Sequence, residues 1–398
     1  MLNHNSPLWQ IAFRPFFLAA SIFITLAFAL WALVLSNSFP ALLADYQPYG
    51  GWFNWHSHEM IFGFVQAIAI GFLLTASRNW AGQPGISSTF IKLLLASWLL
   101  ARVAWLVPAT PMLLVALFDL ATPLLAALGL AQTLHGGERD NGKGSQRHNW
   151  PFVGLLVAFA LVQLLFHTLL LTQPQYLSLL MQTAVLMMAA MTLWVSGRVL
   201  PFFTRARLQT QPPIIPQKVL NISMASSWLL IPSLVISQLF TDVYLLQLIA
   251  ATIAITAALS QAYRLSLFYR KGVASEAMLW SLYCAFSWII IGFAMLAASL
   301  LFETRLPWLH AITLGGLLTM IISMVARISL GHTGRAILAL KGIPAVFIAL
   351  QVATLIRITL PSTMGYITAL SILLAAMLVF LFHYLPILIK PRSDGNPG

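Results

Sequence analysis

The chain has 398 residues, of which 60% are hydrophobic and only 8% charged. A soluble globular protein carries about 25% charged residues because its surface must be solvated, so an ordinary soluble enzyme is excluded and lipid is the expected solvent. The 21 Lys and Arg against 9 Asp and Glu give a net charge of +12, too sparse for the phosphate-tracking stripe of a nucleic-acid-binding protein.

Apolar runs long enough to cross a bilayer fall, in chain order, at about 16–36, 57–77, 90–107, 111–134, 151–171, 175–197, 219–240, 244–263, 276–302, 308–328, 342–360 and 363–389. The expected fold is therefore all-α: a polytopic membrane protein of twelve transmembrane helices in one bundle, a single integral membrane domain over residues 1–398. The first run is too long for a signal-peptide core and reads as a retained span. The longest polar stretch, HGGERDNGKGSQRHN at 135–149, separates the first four spans from the rest. A second break lies at 198–218, with Pro212, Pro213 and Pro216. Pro15-Phe16-Phe17 and Pro201-Phe202-Phe203 sit at opposite ends of their spans, so they do not read as an internal repeat.

Lys and Arg fix the expected orientation. Both ends of the chain and the loops after even-numbered spans hold 18 of them, against three (Arg102, Arg305 and Arg357) on the other side. By the positive-inside rule both termini are cytoplasmic. The charge is then mostly a topology signal, and no nucleic-acid partner is needed.

Ionisable groups at membrane depth point to function because burying them is unfavourable. The densest set is Trp55-His56-Ser57-His58-Glu59-Met60, at the outer end of the second span. Imidazole nitrogen and thioether sulfur suit copper or haem iron. On a helix His56 and Met60 share a face while His58 points elsewhere; with extended backbone at His56 the two histidines converge. Glu59 is placed to orient an imidazole through its second ring nitrogen. The competing reading is an interfacial cap, with Trp52 and Trp55 in the aromatic belt. His310, at the start of the tenth span, and His167, near the end of the fifth, fall in the same outer half. The expected metal-ligand set is His56, His58 and His310, with Met60 a weaker member, Glu59 behind it, and His167 ranked below. A single cysteine, Cys284, excludes an internal disulfide, a Cys-rich zinc or iron–sulfur site, and C-x-x-C-H haem attachment.

Asp119 and Arg102 lie on consecutive spans at similar depth, which suits a structural ion pair or, alternatively, a proton relay. At the inner ends, GRVLPFFTR at 197–205 and RISLGHTGR at 327–335 close the sixth and tenth spans, and FRPFF at 13–17 opens the first. Arg198, Arg327, His332 and Arg335 suit a clamp for an anion such as a haem propionate or a phosphate headgroup.

WHSHEMIFGF at 55–64, FRPFF, GRVLPFFTR and the His310…RISLGHTGR module together resemble the NnrS family, in order and spacing from about residue 8 to 390. The resemblance implies a multi-pass protein of the bacterial cytoplasmic (inner) membrane, produced in response to nitric oxide and associated with denitrification. It also implies haem b and copper as cofactors and a role against nitrosative stress. It transfers no reaction and no assigned ligands; the ligand roles above are read from the residues. A haem on His310 would lie near the outer face, and one on His332 near the inner face with the arginine clamp. Membrane lipid and nitric oxide, or nitrosyl-metal complexes, are the expected partners. The alternatives are a secondary transporter of a small solute or metal complex, coupled through Asp119 and Arg102, and an assembly factor with neither metal nor flux.

Overall fold

In a computed structural model, described over residues 6–38, 45–140 and 146–396, the secondary structure is helical and no strand occurs among these residues. Twelve long helices follow one another: α1 Phe13–Leu35, α2 Trp52–Ala81, α3 Ser88–Leu106, α4 Met112–Asp140, α5 Pro151–Thr172, α6 Leu177–Leu208, α7 Gln217–Leu239, α8 Tyr244–Phe268, α9 Ala277–Leu301, α10 Trp308–His332, α11 Ile343–Thr359 and α12 Thr363–Ile389. Eleven are long and apolar enough to cross a membrane, and α11, at 17 residues, is the shorter twelfth. With no water in the hydrocarbon, only helices satisfy their own backbone groups over such a length.

Several ends differ from the sequence expectation, each for a local reason. α2 begins at Trp52 rather than near 57, so the His-rich segment is helical and not a cap. α4 continues through the glycine pair to Asp140; Asn141 to Ser145, the middle of the expected polar loop, lie outside the described residues. α6 runs on through Pro201 to Leu208, as membrane helices tolerate proline when neighbours re-satisfy the freed carbonyl. Gly82, left-handed at φ 64, ends α2, and the Ser87 hydroxyl accepts from the Phe90 amide to start α3.

The chain divides into two compact units. One comprises Met1–Leu180, Ile328–Ala336 and Phe380–Gly398; the other comprises Met181–Arg327 and Ile337–Val379. In the first, α2 is the central helix, packed by α1, α3 and α4, and 83% of its most apolar window is buried. In the second, α10 has the corresponding place, 72% buried, against α9 and α11. Both central helices contain a π segment, Glu59–Val65 in α2 and Ala311–Leu318 in α10. Each begins directly after a histidine, His58 or His310. π turns are rare and concentrate at functional sites.

Candidate metal centre

His58 and Glu59 sit where α2 passes into its π turn, and both are fully buried. α3 contributes Arg102 and Trp105, which share a face three residues apart, and α4 contributes Asp119. Only a short link joins α3 to α4, so these residues meet at one depth. His167, near the end of α5, completes the group from the next helix.

The contacts form a closed polar cluster. His58 Nδ1 bonds Glu59 Oε1 at 3.0 Å. A carboxylate only accepts, so a proton is on Nδ1, and in the neutral ring Nε2 would be a lone-pair donor. That Nε2 lies 3.3 Å from Asp119 Oδ2 and has no hydrogen-bond partner. His167 Nε2 lies 3.0 Å from the same oxygen, which also accepts from Trp105 Nε1 at 2.7 Å. Arg102 bridges the two acids, with Nη2 donating to Asp119 Oδ1 and Nη1 3.1 Å from Glu59 Oε2. On the far side of His167, Nδ1 faces the Tyr49 hydroxyl at 3.4 Å.

The surroundings are apolar. Around the His58 ring stand Trp105 at 4.3 Å, Phe62 and Phe166 at 5.0 Å and His167 at 6.0 Å, measured between centroids. The segment before α2 closes the outer end: the Tyr49 amide donates to the Trp105 carbonyl at 3.0 Å, the Tyr46 hydroxyl donates to the Leu106 carbonyl, and Trp52 Nε1 donates to the Tyr46 carbonyl at 3.2 Å. Burial, with the nearby Asp119 carboxylate adding to it, pushes the Tyr49 phenol up to about 12. Tyr49 therefore stays a neutral hydroxyl at any working pH.

Two features suit this cluster to a cation. With both carboxyl groups ionised and both imidazoles neutral, the single Arg102 guanidinium would leave one negative charge among buried groups, which a bound cation would balance. The ligand spacing also fits an ion. Bonds of about 2.0–2.1 Å in tetrahedral array set ligand atoms about 3.3 Å apart, and the two imidazole–carboxylate separations here are 3.0 and 3.3 Å. His58, Asp119 and His167, all buried, form a group able to hold a metal ion. Aromatic rings stand close around the His58 imidazole, and two imidazoles with one carboxylate are a donor set suited to a bare ion.

A family model described as NnrS protein matches residues 7–392. The chain belongs to the NnrS family. No curated protein matches it. The NnrS match runs through both units and covers all the residues of the cluster.

Against the sequence expectations, His58 and Glu59 lie in the cluster, and Arg102 meets Asp119. His56 does not converge with His58: that needed extended backbone, whereas Trp52–His58 is helical and two residues on a helix point about 200° apart. His56 instead stacks on Trp31, with centroids 4.3 Å apart and planes 9° from parallel. Met60 is half-buried on the π turn. His310, half-buried, belongs to the second unit. The expected clamp is divided: Arg198, over Trp194 at 5.2 Å, and Arg327, over Phe203 at 4.1 Å, are in the second unit, and His332 and Arg335 in the first. His167 was ranked below the expected set, and Trp105 and Tyr49 were not singled out as members of a site. The available signal for His167 was its place in the same membrane half as His58, and for Trp105 its three-residue spacing from Arg102.

Proposed function

We propose that this NnrS-family protein is a metalloprotein of the nitric oxide response in the bacterial cytoplasmic membrane, with one first-row transition ion held by His58, Asp119 and His167. Copper is the ion the family resemblance favours, and two imidazoles with a carboxylate suit it. The carrying observation is His58 Nε2: buried, without a hydrogen-bond partner, and 3.3 Å from a carboxylate oxygen.

When bound, such an ion supplies a coordination position for a small ligand. The chain supplies the rest. Glu59 holds the proton on His58 Nδ1, so Nε2 faces inward in the ligating tautomer. Arg102 fixes both carboxylates and leaves Asp119 Oδ2 toward the imidazoles. With an ion held, His167 would carry its proton on Nδ1, which faces the Tyr49 oxygen at 3.4 Å, and offer Nε2. The shell of Phe62, Trp105 and Phe166 excludes water but admits nitric oxide, which is small, apolar and soluble in lipid. Haem b would be held elsewhere; His56, His310 and His332 are the histidines left for it among those the sequence singles out.

The transporter alternative needs a carboxylate free to load and release, whereas Asp119 is held by Arg102, Trp105 and His167 together. Metal analysis with electron paramagnetic resonance and absorption spectra, on protein from haem- and copper-replete cells, tests the proposal. Wild type should carry one ion per chain and His58→Ala, His167→Ala and Asp119→Asn should each lose it. Full metal content in all three variants would exclude this centre.

A further inference from the structure

A second concentration of charge lies in the first unit, at the opposite helix ends from the metal centre. Arg14 opens α1, Arg78 is near the end of α2, His332 ends α10, and Arg335 and Arg392 follow α10 and α12. Arg14 is fully buried and its Nη1 donates to the carbonyls of Leu388 at 2.9 Å and Lys390 at 2.8 Å, closing the last turn of α12. Arg392 Nη1 donates to the His332 carbonyl at 2.8 Å, and Arg335 Nη1 to the Thr333 carbonyl at 3.2 Å. Arg14 is within Coulombic range of Arg335 and Arg392, and His332 within range of Arg14, Arg78 and Arg392.

Ordinary interfacial arginines snorkel apart into water. Here four guanidinium groups and an imidazole gather, and their mutual repulsion calls for an anion. One short carboxylate partly answers it. Asp394, in the segment after α12, accepts from Arg392 Nε at 2.9 Å and from its Nη2. Arg392 holds the Asp394 carboxyl below the usual carboxylate range, so it is an anion at neutral pH. Its three carboxyl atoms lie only 2.6–2.8 Å from where a Cβ on Gly334 would be. Gly334, at φ +73, thus opens the turn after α10 to an anionic group. Ser393 ties the same segment down, its amide donating to the Thr333 carbonyl at 3.0 Å and its hydroxyl to the Gly334 carbonyl at 2.8 Å.

We propose that this cluster is a phosphate-ester site for the headgroup of an anionic phospholipid, and that the Asp394 carboxylate stands where the phosphate binds. The helix ends that form it are on the Lys- and Arg-rich side of the sequence, at headgroup level, where basic pockets between transmembrane helices take anionic lipids. Arg335, Arg392 and Arg78 are half-exposed and able to reach a ligand; Arg14 is a fixed positive charge behind them. Free phosphate has the same chemistry and differs only in source.

Native mass spectrometry of the full-length protein, delipidated in detergent and titrated with phosphatidylglycerol, phosphatidylcholine or inorganic phosphate, tests this. Phosphatidylglycerol should bind as a discrete adduct in preference to phosphatidylcholine. Arg335→Gln should weaken it about fivefold, the factor one basic residue supplies at an anionic surface. Asp394→Asn, in the exposed segment after the last helix, should strengthen it. Equal binding of the two lipids, or binding unmoved by both variants, would overturn the proposal. Inorganic phosphate that binds with the same Arg335 dependence and expels the lipid would overturn the lipid source.

Discussion

Gly63 offers a test of the metal centre that leaves every ligand atom in place. A Cβ at this position would lie 2.7 Å from Arg102 Nη1, 2.8 Å from Glu59 Oε2 and 2.8 Å from Phe23 Cε1. Comfortable carbon contacts are about 3.5–4.0 Å, so a methyl is about 1 Å too close on three sides. Two of the three obstacles are the partners of one ion pair. Relief therefore comes from moving Arg102 off Glu59, which also releases the carboxylate that orients His58. Overpacking costs about 1–3 kcal/mol, and the better helix propensity of alanine returns about 1 kcal/mol. Separating a buried pair costs up to about 3–5 kcal/mol, so the clash wins. Gly63→Ala should lower the thermal midpoint in detergent and weaken metal affinity about 10–100-fold, as the loss of a ligand-orienting contact does. Gly154→Ala is the control, because nothing lies within 4 Å of its Cβ position; it should be neutral or slightly stabilising. If Gly63→Ala titrates with metal like wild type and melts at the same temperature, the coupling of Glu59 and Arg102 to the ligands is wrong.

Other expectations follow from the same geometry. Glu59→Gln replaces the acceptor that keeps the His58 proton on Nδ1, and should reduce metal affinity about 10–100-fold with little change in helix content by circular dichroism. His56→Ala removes a stack on Trp31 but no ligand of the proposed triad; metal analysis should find full occupancy, and loss of the ion would return His56 to the ligand set. Since Arg392 holds the Asp394 carboxyl low, the contact it makes is complete above the ordinary carboxylate range and is lost only as pH falls through the lowered value. Protease sensitivity of residues 390–396 should therefore not change between pH 8 and 5.

The twelve helices were legible because membrane crossing imposes length and apolarity on the sequence itself, and the ends were misread where a local device intervened. Glycines at 136 and 137 and the proline at 201 look like breaks, yet α4 and α6 run through them. The buried polar cluster was half legible. His58 and Glu59 stand out because ionisable residues are rare in such spans, and Asp119 and Arg102 could be paired because a short hairpin equalises their depth. His167 was harder: its partner Asp119 is 48 residues away, and only the packing of α4 against α5 brings them together. His56 lies outside the cluster because adjacency in sequence is not convergence on a helix. Nothing in the sequence marked the π turn, which has no composition of its own.

That turn gives the centre an unusual dependence on residue count. Were α2 a regular helix from Trp52 to Ala81, everything before the turn would be rotated by about 100° for the one residue that the wider turn absorbs. Deleting a single apolar residue from Glu59–Val65 would let the turn close to a regular helix with His58 kept in phase, whereas inserting one would leave the span long and hydrophobic enough for the bilayer yet swing His58 by about 100° away from Asp119 and His167. Insertion and metal capture thus read different properties of the same thirty residues: the bilayer reads their sum, and the ligand triad reads their phase.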